Sequence, residues 1–296
     1  MVAAGNRTHT LIGVTAARRS AASPTAPAIP LAGLMVCAAI AALLLGDWHV
    51  LRARWPELVS ALPGAAVANV ALAALALVLR AVTFPGALSG AAVGTVLLAT
   101  SGWPGWTMLA VAFVVALLST RWRRIRKVAL GIAEARGGRR GVGNVLANTG
   151  LGALLAVVAY TRPAESGWVL GIAASLAAAA SDTVASEVGK GLGGRTWLLV
   201  PWQLVPPGTT GAASVGGTAA SLLAGALFGG VALASGLLHS PAQAAMVAVS
   251  AMVACLLEGI VAAAVEPRHV LDNDGVNFFT SVSGAAVAVG ATLVLG

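Results

Sequence analysis

Residues 121–161 read RWRRIRKVALGIAEARGGRRGVGNVLANTGLGALLAVVAYT. Up to Arg140 this stretch holds eight Lys or Arg against one acid, Glu134, and from Val142 to Thr161 it holds no charge at all. An uncharged apolar run of this length matches the roughly 17–25 residues that cross a hydrocarbon core as a helix. Short loops rich in Lys and Arg stay on the cytoplasmic side. The stretch therefore predicts a membrane span that leaves a cytoplasmic loop.

Working outward, apolar runs of similar length occur at 30–46, 58–79, 82–100, 103–120, 142–161, 167–181, 211–238, 243–265 and 279–295. The expected fold is all-α, a polytopic transmembrane bundle of about nine helices with its N-terminus cytoplasmic. The segments starting at 82 and ending at 181 are the weakest, and re-entrant folding is the alternative for both. Alternation from the loop at 121–140 puts 15 of the 18 basic residues inside and leaves Arg52, Arg54 and Arg162 outside. Residues 1–29 carry Arg7, Arg18 and Arg19 and no acid. They read as a disordered basic tail, a composition shared with transit peptides, ahead of a transmembrane domain over 30–296.

Composition agrees: the 296 residues are 9% charged and 58% hydrophobic, with a mean hydropathy of +0.89. A soluble domain is about 25% charged, so a water-soluble enzyme is excluded. The net charge of +8 is topological information; nucleic-acid binding needs a basic, solvated face that this chain lacks. Cys37 and Cys255 lie inside apolar runs and serve packing, with neither a disulfide nor a Cys metal site in prospect.

Once the topology is drawn, Asp182, Glu187, Lys190, Arg195, Asp272 and Asp274 converge on the cytoplasmic side. Three constellations hold most of them. In Ser181-Asp-Thr-Val-Ala-Ser-Glu-Val-Gly-Lys190, a helix would place Thr183, Ser186, Glu187 and Lys190 within about one 100° face, with Asp182 displaced. Oxygen ligands suit Mg²⁺ and a lysine suits phosphate; a helix cap at Ser181 or Asp182 is the plainer use of part of the motif. In Pro206-Pro-Gly-Thr-Thr-Gly-Ala-Ala-Ser-Val-Gly-Gly-Thr218, Gly208, Thr209, Thr210, Gly211 and Ser214 lead into a helix start, where free amides favour an anion. It is not a Walker loop, because no Gly-Lys-Ser/Thr follows. In Leu271-Asp-Asn-Asp-Gly-Val-Asn277, Asp272, Asn273, Asp274 and Asn277 offer hard oxygen ligands in a loop before the last helix.

Glu258 lies about 12 Å from the inner end of its helix at 1.5 Å per residue, and an intramembrane carboxylate is a functional candidate by default. Arg139 and Arg140 can clamp phosphate oxygens, ahead of Asn144 and Asn148 at helical spacing; topology accounts for the rest of that loop, Arg121 to Lys127 above all. No Ser/His/Asp set or zinc pattern is present.

Gly138 to Asn148, the Asp182-Thr-Val-Ala-Ser-Glu-Val-Gly motif, the Pro-Pro-Gly-Thr-Thr-Gly-Ala-Ala loop and Asp272 to Phe278 together resemble the integral-membrane phytyl-phosphate kinase and transmembrane-protein-nineteen-like family over about residues 85–295. Glu258 stands where that family usually has Asp. The resemblance implies phosphoryl transfer to an isoprenoid monophosphate at the cytosolic face, with CTP or another nucleotide as donor and Mg²⁺ as cofactor. On that basis Asp182, Glu187, Asp272 and Asp274 are assigned to metal and Lys190, Arg139 and Arg140 to phosphates. Asp182, Glu187, Lys190 and Glu258 form the catalytic set. The expected partners are a prenyl or phytyl monophosphate, the nucleotide and the membrane, with homo-oligomerisation left open. A bacterial inner membrane is expected, a plastid membrane being the alternative. A cytidylyltransferase making a CDP-linked lipid, or a transporter, are the competing readings.

Overall fold

A computed structural model describes residues 31–295; the expected N-terminal tail lies outside the described residues. Among the described residues seven helices are long and apolar enough to cross a membrane: α3 (Trp55–Val78), α4 (Phe84–Arg121), α6 (Val142–Thr161), α7 (Ser166–Leu192), α8 (Val215–Ala234), α9 (Pro241–Val265) and α10 (Asn273–Leu295). A shorter apolar helix, α1 (Leu31–Leu45), precedes them, and two six-residue helices, α2 (Trp48–Ala53) and α5 (Arg124–Ala129), lie at opposite ends of the bundle.

α4 is not one span. Gly102 breaks it with φ 66° and ψ −167°, and a Cβ on Gly94 would stand 3.3 Å from Leu109 Cδ2. Fifteen residues of straight helix would separate those positions by about 22 Å, so the two arms fold back on each other as a hairpin. Pro104 opens the second arm, where its missing N–H costs nothing. Asn69, buried in α3, locks the hairpin: its Nδ2 donates to Ala65 O and its Oδ1 accepts from Trp106 Nε1, both at 2.9 Å. With α1 and the two arms counted, the nine expected apolar segments are present.

α7 is the centre, with 67% of its most apolar stretch buried against 17% in α3. Its alanines at 173, 174, 177 and 178 allow close approach: a Cβ on Gly284 of α10 would meet Ala174 O at 2.8 Å. Likewise a Cβ on Gly225 of α8 would meet Ala248 O of α9 at 2.8 Å. In lipid such backbone proximity supplies packing that the hydrophobic effect does not.

The two ends carry the expected charge partition. At one end Arg54 Nη1 donates to Tyr160 O at 2.8 Å and Arg162 pairs with Glu165 at 2.9 Å. At the other end Arg140 is strapped beside the start of α4 by Thr83 N to Arg140 O and Arg140 N to Ala81 O, both 2.9 Å. Two boundaries differ from the sequence reading. α7 runs on to Leu192, and α10 starts at Asn273, so the Asp272–Asn277 motif is a first helical turn and not a free loop; Asp272 Oδ1 accepts from Gly275 N at 2.8 Å and closes that turn. The segment 193–214 also folds into a small antiparallel sheet, β1 (Thr196–Leu198), β2 (Gln203–Val205) and β3 (Ala212–Ser214), in the order β2-β1-β3.

Candidate functional site

The last turns of α7 form one wall of a polar cavity of about 170 Å³. Asp182, Ser186, Gly189 and Lys190 line it, as residues spaced by three and four on one helix do. Facing them is the loop Gly208-Thr-Thr-Gly211 with Ser214, and α9 adds Glu258. Gly211 sits at φ +72°, and a Cβ there would meet Gly259 O at 2.5 Å, so the loop lies flat on α9 only because this residue is glycine. Ser214 caps α8, its Oγ accepting from Gly217 N at 3.1 Å. Thr209 Oγ1 is spent on Pro206 O at 2.8 Å.

Glu187 is not in this cavity. It turns toward the basic loop after α4, where it is 2% exposed and ion-paired to Lys127, itself 1% exposed. Lys127 Nζ also donates to Ser119 O at 3.2 Å and Thr120 O at 2.9 Å. The cavity-facing side of the motif is therefore centred on Asp182 and Ser186, and Thr183 turns away, its Oγ1 donating to Ala179 O at 3.2 Å. Topology does not exhaust the basic loop either: Arg123 Nη1 donates to Gly191 O at 3.3 Å, so that loop supplies cations to the carbonyl end of α7.

Asp272 and Asp274 line a second cleft, with Arg139, Arg140, Asn144 and Glu134. Asn273 borders both this cleft and the polar cavity. Asp274 rests against Gly143, the second residue of α6, where a Cβ would collide with its carboxylate; a negative charge is favoured at that helix start. Asn277 lies one turn further along α10, its carbonyl accepting from Ser281 Oγ at 3.3 Å.

A third cavity, about 140 Å³ and mostly apolar, lies among α3, both arms of α4, α6 and α7. It runs from Arg140 and Asn144 at the basic end to Asn69 and Leu109, with Asn148 and Thr183 on its walls. Four residues of α7, Leu176, Ala179, Ala180 and Thr183, line its length, a rise of about 10 Å at 1.5 Å per residue. Arg140 and Asn144 border the apolar cavity and the acidic cleft alike.

Glu134 ties these spaces together. It stands 3.7 Å from Arg140 Nη1 and 3.8 Å from Lys190 Nζ, and Lys190 is in turn 3.6 Å from Glu187. Glu266, just beyond α9, also lines the polar cavity; burial raises its pKa above the ordinary 4.5, against the hydrogen bond from Thr210. Neither Glu134 nor Glu266 stands out in the sequence, since both sit in loops whose charge looks topological. Among the described residues no three His, Cys, Asp or Glu come close enough to cage a metal, so the four assigned ligands are not gathered in one place. Mg²⁺ characteristically takes one or two carboxylates plus substrate phosphates. Asp182 with Glu258 in the cavity, and Asp272 with Asp274 in the cleft, fit that kind of ion.

Residues 67–285 match the integral membrane protein family DUF92. An uncharacterized membrane protein of Synechocystis sp. is 38% identical over 206 residues, 67% of this chain and 77% of that protein. Protein VTE6, chloroplastic, of Arabidopsis thaliana is 32% identical over 203 residues, 66% of this chain but 61% of its own length. An uncharacterized membrane protein of Methanocaldococcus jannaschii is 29% identical over 206 residues, 69% of this chain and 83% of that protein. No solved structure matches. The resemblance carried by the four motifs is borne out.

Proposed function

The chain belongs to the DUF92 family of integral membrane proteins, and from that premise we propose that it transfers a phosphoryl group from a nucleotide, CTP by expectation, to an isoprenoid monophosphate. The observation that carries this reading is the junction at Arg140 and Asn144, where an apolar cavity inside the helix bundle meets an acidic, arginine-lined cleft. A prenyl tail fits the first and its phosphate the second. The donor phosphates belong in the neighbouring polar cavity, against Lys190 and the 208–211 loop. Mg²⁺ held by Asp182 and Glu258, or by Asp272 and Asp274, would neutralise charge on the transferring phosphoryl group. Such transfer depends chiefly on alignment and charge neutralisation, without a covalent nucleophile. Thr183 and Asp182, adjacent on α7, face the tail cavity and the donor cavity respectively, so one helix would set the distance between acceptor and donor.

The test is product analysis with purified protein in vesicles, a panel of prenyl monophosphates and CTP labelled at the gamma phosphate. The expected result is label in the lipid diphosphate. Label recovered only in pyrophosphate, with a CDP-linked lipid formed, would replace this reading by a cytidylyltransferase. No turnover with any acceptor and any nucleotide would remove the enzymatic reading altogether.

A further inference from the structure

We propose that the hollow between the inner ends of α3 and α4 is a binding site for the phosphate headgroup of an anionic membrane phospholipid. Arg80, Arg121, Arg124, Arg136 and Arg139 border a space of about 700 Å³ there, with no carboxylate among its lining residues. None of the five takes part in an ion pair among the described residues, although six such pairs form elsewhere. Positive-inside topology requires these charges to lie on one side; it does not require three separate segments to bring them to one hollow. Like charges converging in this way repel unless an anion joins them.

The backbone gives independent support. Arg80 follows the end of α3 at φ 52°, with Ala81 N donating to Ala76 O at 2.9 Å. That is the left-handed position closing a helix, where glycine is usual and any side chain costs energy. Arg136, which like Arg139 also borders the acidic cleft, adopts the same conformation at φ 53°, as do Arg123 and His269 outside the hollow. Strained residues persist where something else over-determines them, and Arg80 and Arg136 both face the one hollow. The lining also selects the ligand class. Val78, Leu79 and Leu117 form its apolar wall, and Val78 is 79% exposed on the outer face of α3. Acyl chains can therefore run down the lipid-facing helix from a headgroup held by the arginines. The lining has no aromatic side chain on which a nucleotide base could stack.

The experiment uses the full-length protein with phosphatidylglycerol as probe, read by native mass spectrometry and by thermal melting in vesicles of phosphatidylcholine with and without phosphatidylglycerol. Wild type is expected to retain phosphatidylglycerol preferentially and to melt higher in its presence. At about fivefold in affinity per arginine near a membrane surface, Arg80→Gln/Arg124→Gln should weaken that binding by about 25-fold. Arg268→Gln, on another part of the same rim, should leave it unchanged. Equal retention of the two lipids by wild type overturns the proposal whatever the variants do. An equal loss in Arg268→Gln would reduce the effect to general surface charge, and equal stabilisation by inorganic phosphate would make the hollow a free-anion site. Because the readouts need no turnover, failure here and failure of the kinase reading are separate results.

Discussion

Lys127 and Glu187 form an ion pair shut inside the protein, with side chains 1% and 3% exposed, and Ser119 and Thr120 carbonyls take two more of the ammonium protons. Their Cα atoms belong to different segments of the chain, 60 residues apart. The pair therefore clamps the basic loop after α4 onto the last turns of α7, which carry Asp182 and Lys190.

Removing one member of a buried pair strands the other charge and costs about 3–5 kcal/mol. Lys127→Met and Glu187→Gln should each lower the melting temperature sharply, while Lys127→Met/Glu187→Met should recover much of the loss. Thermal melting of the three purified variants checks this. A Glu187→Gln protein that melts like wild type yet fails to turn over would return Glu187 to the metal.

Asp182→Asn and Asp274→Asn should both abolish turnover, since each loses a carboxylate from a cavity proposed to hold Mg²⁺ and phosphates. They should differ in stability. Asp274 rests at the start of α6, and a charge there is worth about 0.3–1 kcal/mol; Asp182 has no such duty. Rates across a Mg²⁺ titration, taken with melting curves, separate the two effects, and near-normal turnover at limiting Mg²⁺ would strip either residue of its metal role.

Glu258 shares its cavity with Asp182. Glu258→Gln keeps shape and hydrogen bonding but loses charge, so kcat should fall strongly with little change in melting temperature. Glu258→Asp, which keeps the negative charge on a shorter side chain, should keep most of the activity. Full activity in the Gln protein would take Glu258 out of the site.

Glu266 gives a pH dependence with a definite sign. Its folded pKa lies above 4.5 because burial disfavours the charged form, so the folded chain holds this proton more tightly than the unfolded chain. Its contribution is full below 4.5 and is lost as pH rises through the raised value. Melting temperature should therefore fall across that window in wild type relative to Glu266→Gln, with a constant difference at higher pH. Parallel melting curves throughout would refute the assignment.

Gly211→Ala should disorder the 208–211 loop, proposed to bind donor phosphates, because the new Cβ meets both a positive φ and the Gly259 carbonyl. Nucleotide KM should rise several-fold, with kcat and the binding of prenyl monophosphate less affected; equal changes in all three would point to general unfolding.

Sequence alone determined the apolar segments, the break that becomes the Gly102 turn, the gathering of basic residues at one end and the presence there of four polar motifs. These are sums over short stretches of hydropathy and charge, and the cost of placing either in the wrong phase is large enough to be read without coordinates. Tertiary structure alone decided which way each polar side chain faces. The rotation of α7 is set by close approaches: a Cβ on Gly189 would stand 3.0 Å from Ser214 Oγ, and one on Gly217 would stand 2.7 Å from Ala185 O. That rotation sends Asp182 to the polar cavity, Thr183 to the apolar cavity and Glu187 to Lys127. The same packing parts Asp272 and Asp274 from Asp182 and makes Glu134 the bridge between Arg140 and Lys190. A helix face is fixed by contacts between residues far apart in the chain, and one sequence carries no local signal of which face its neighbours will cover.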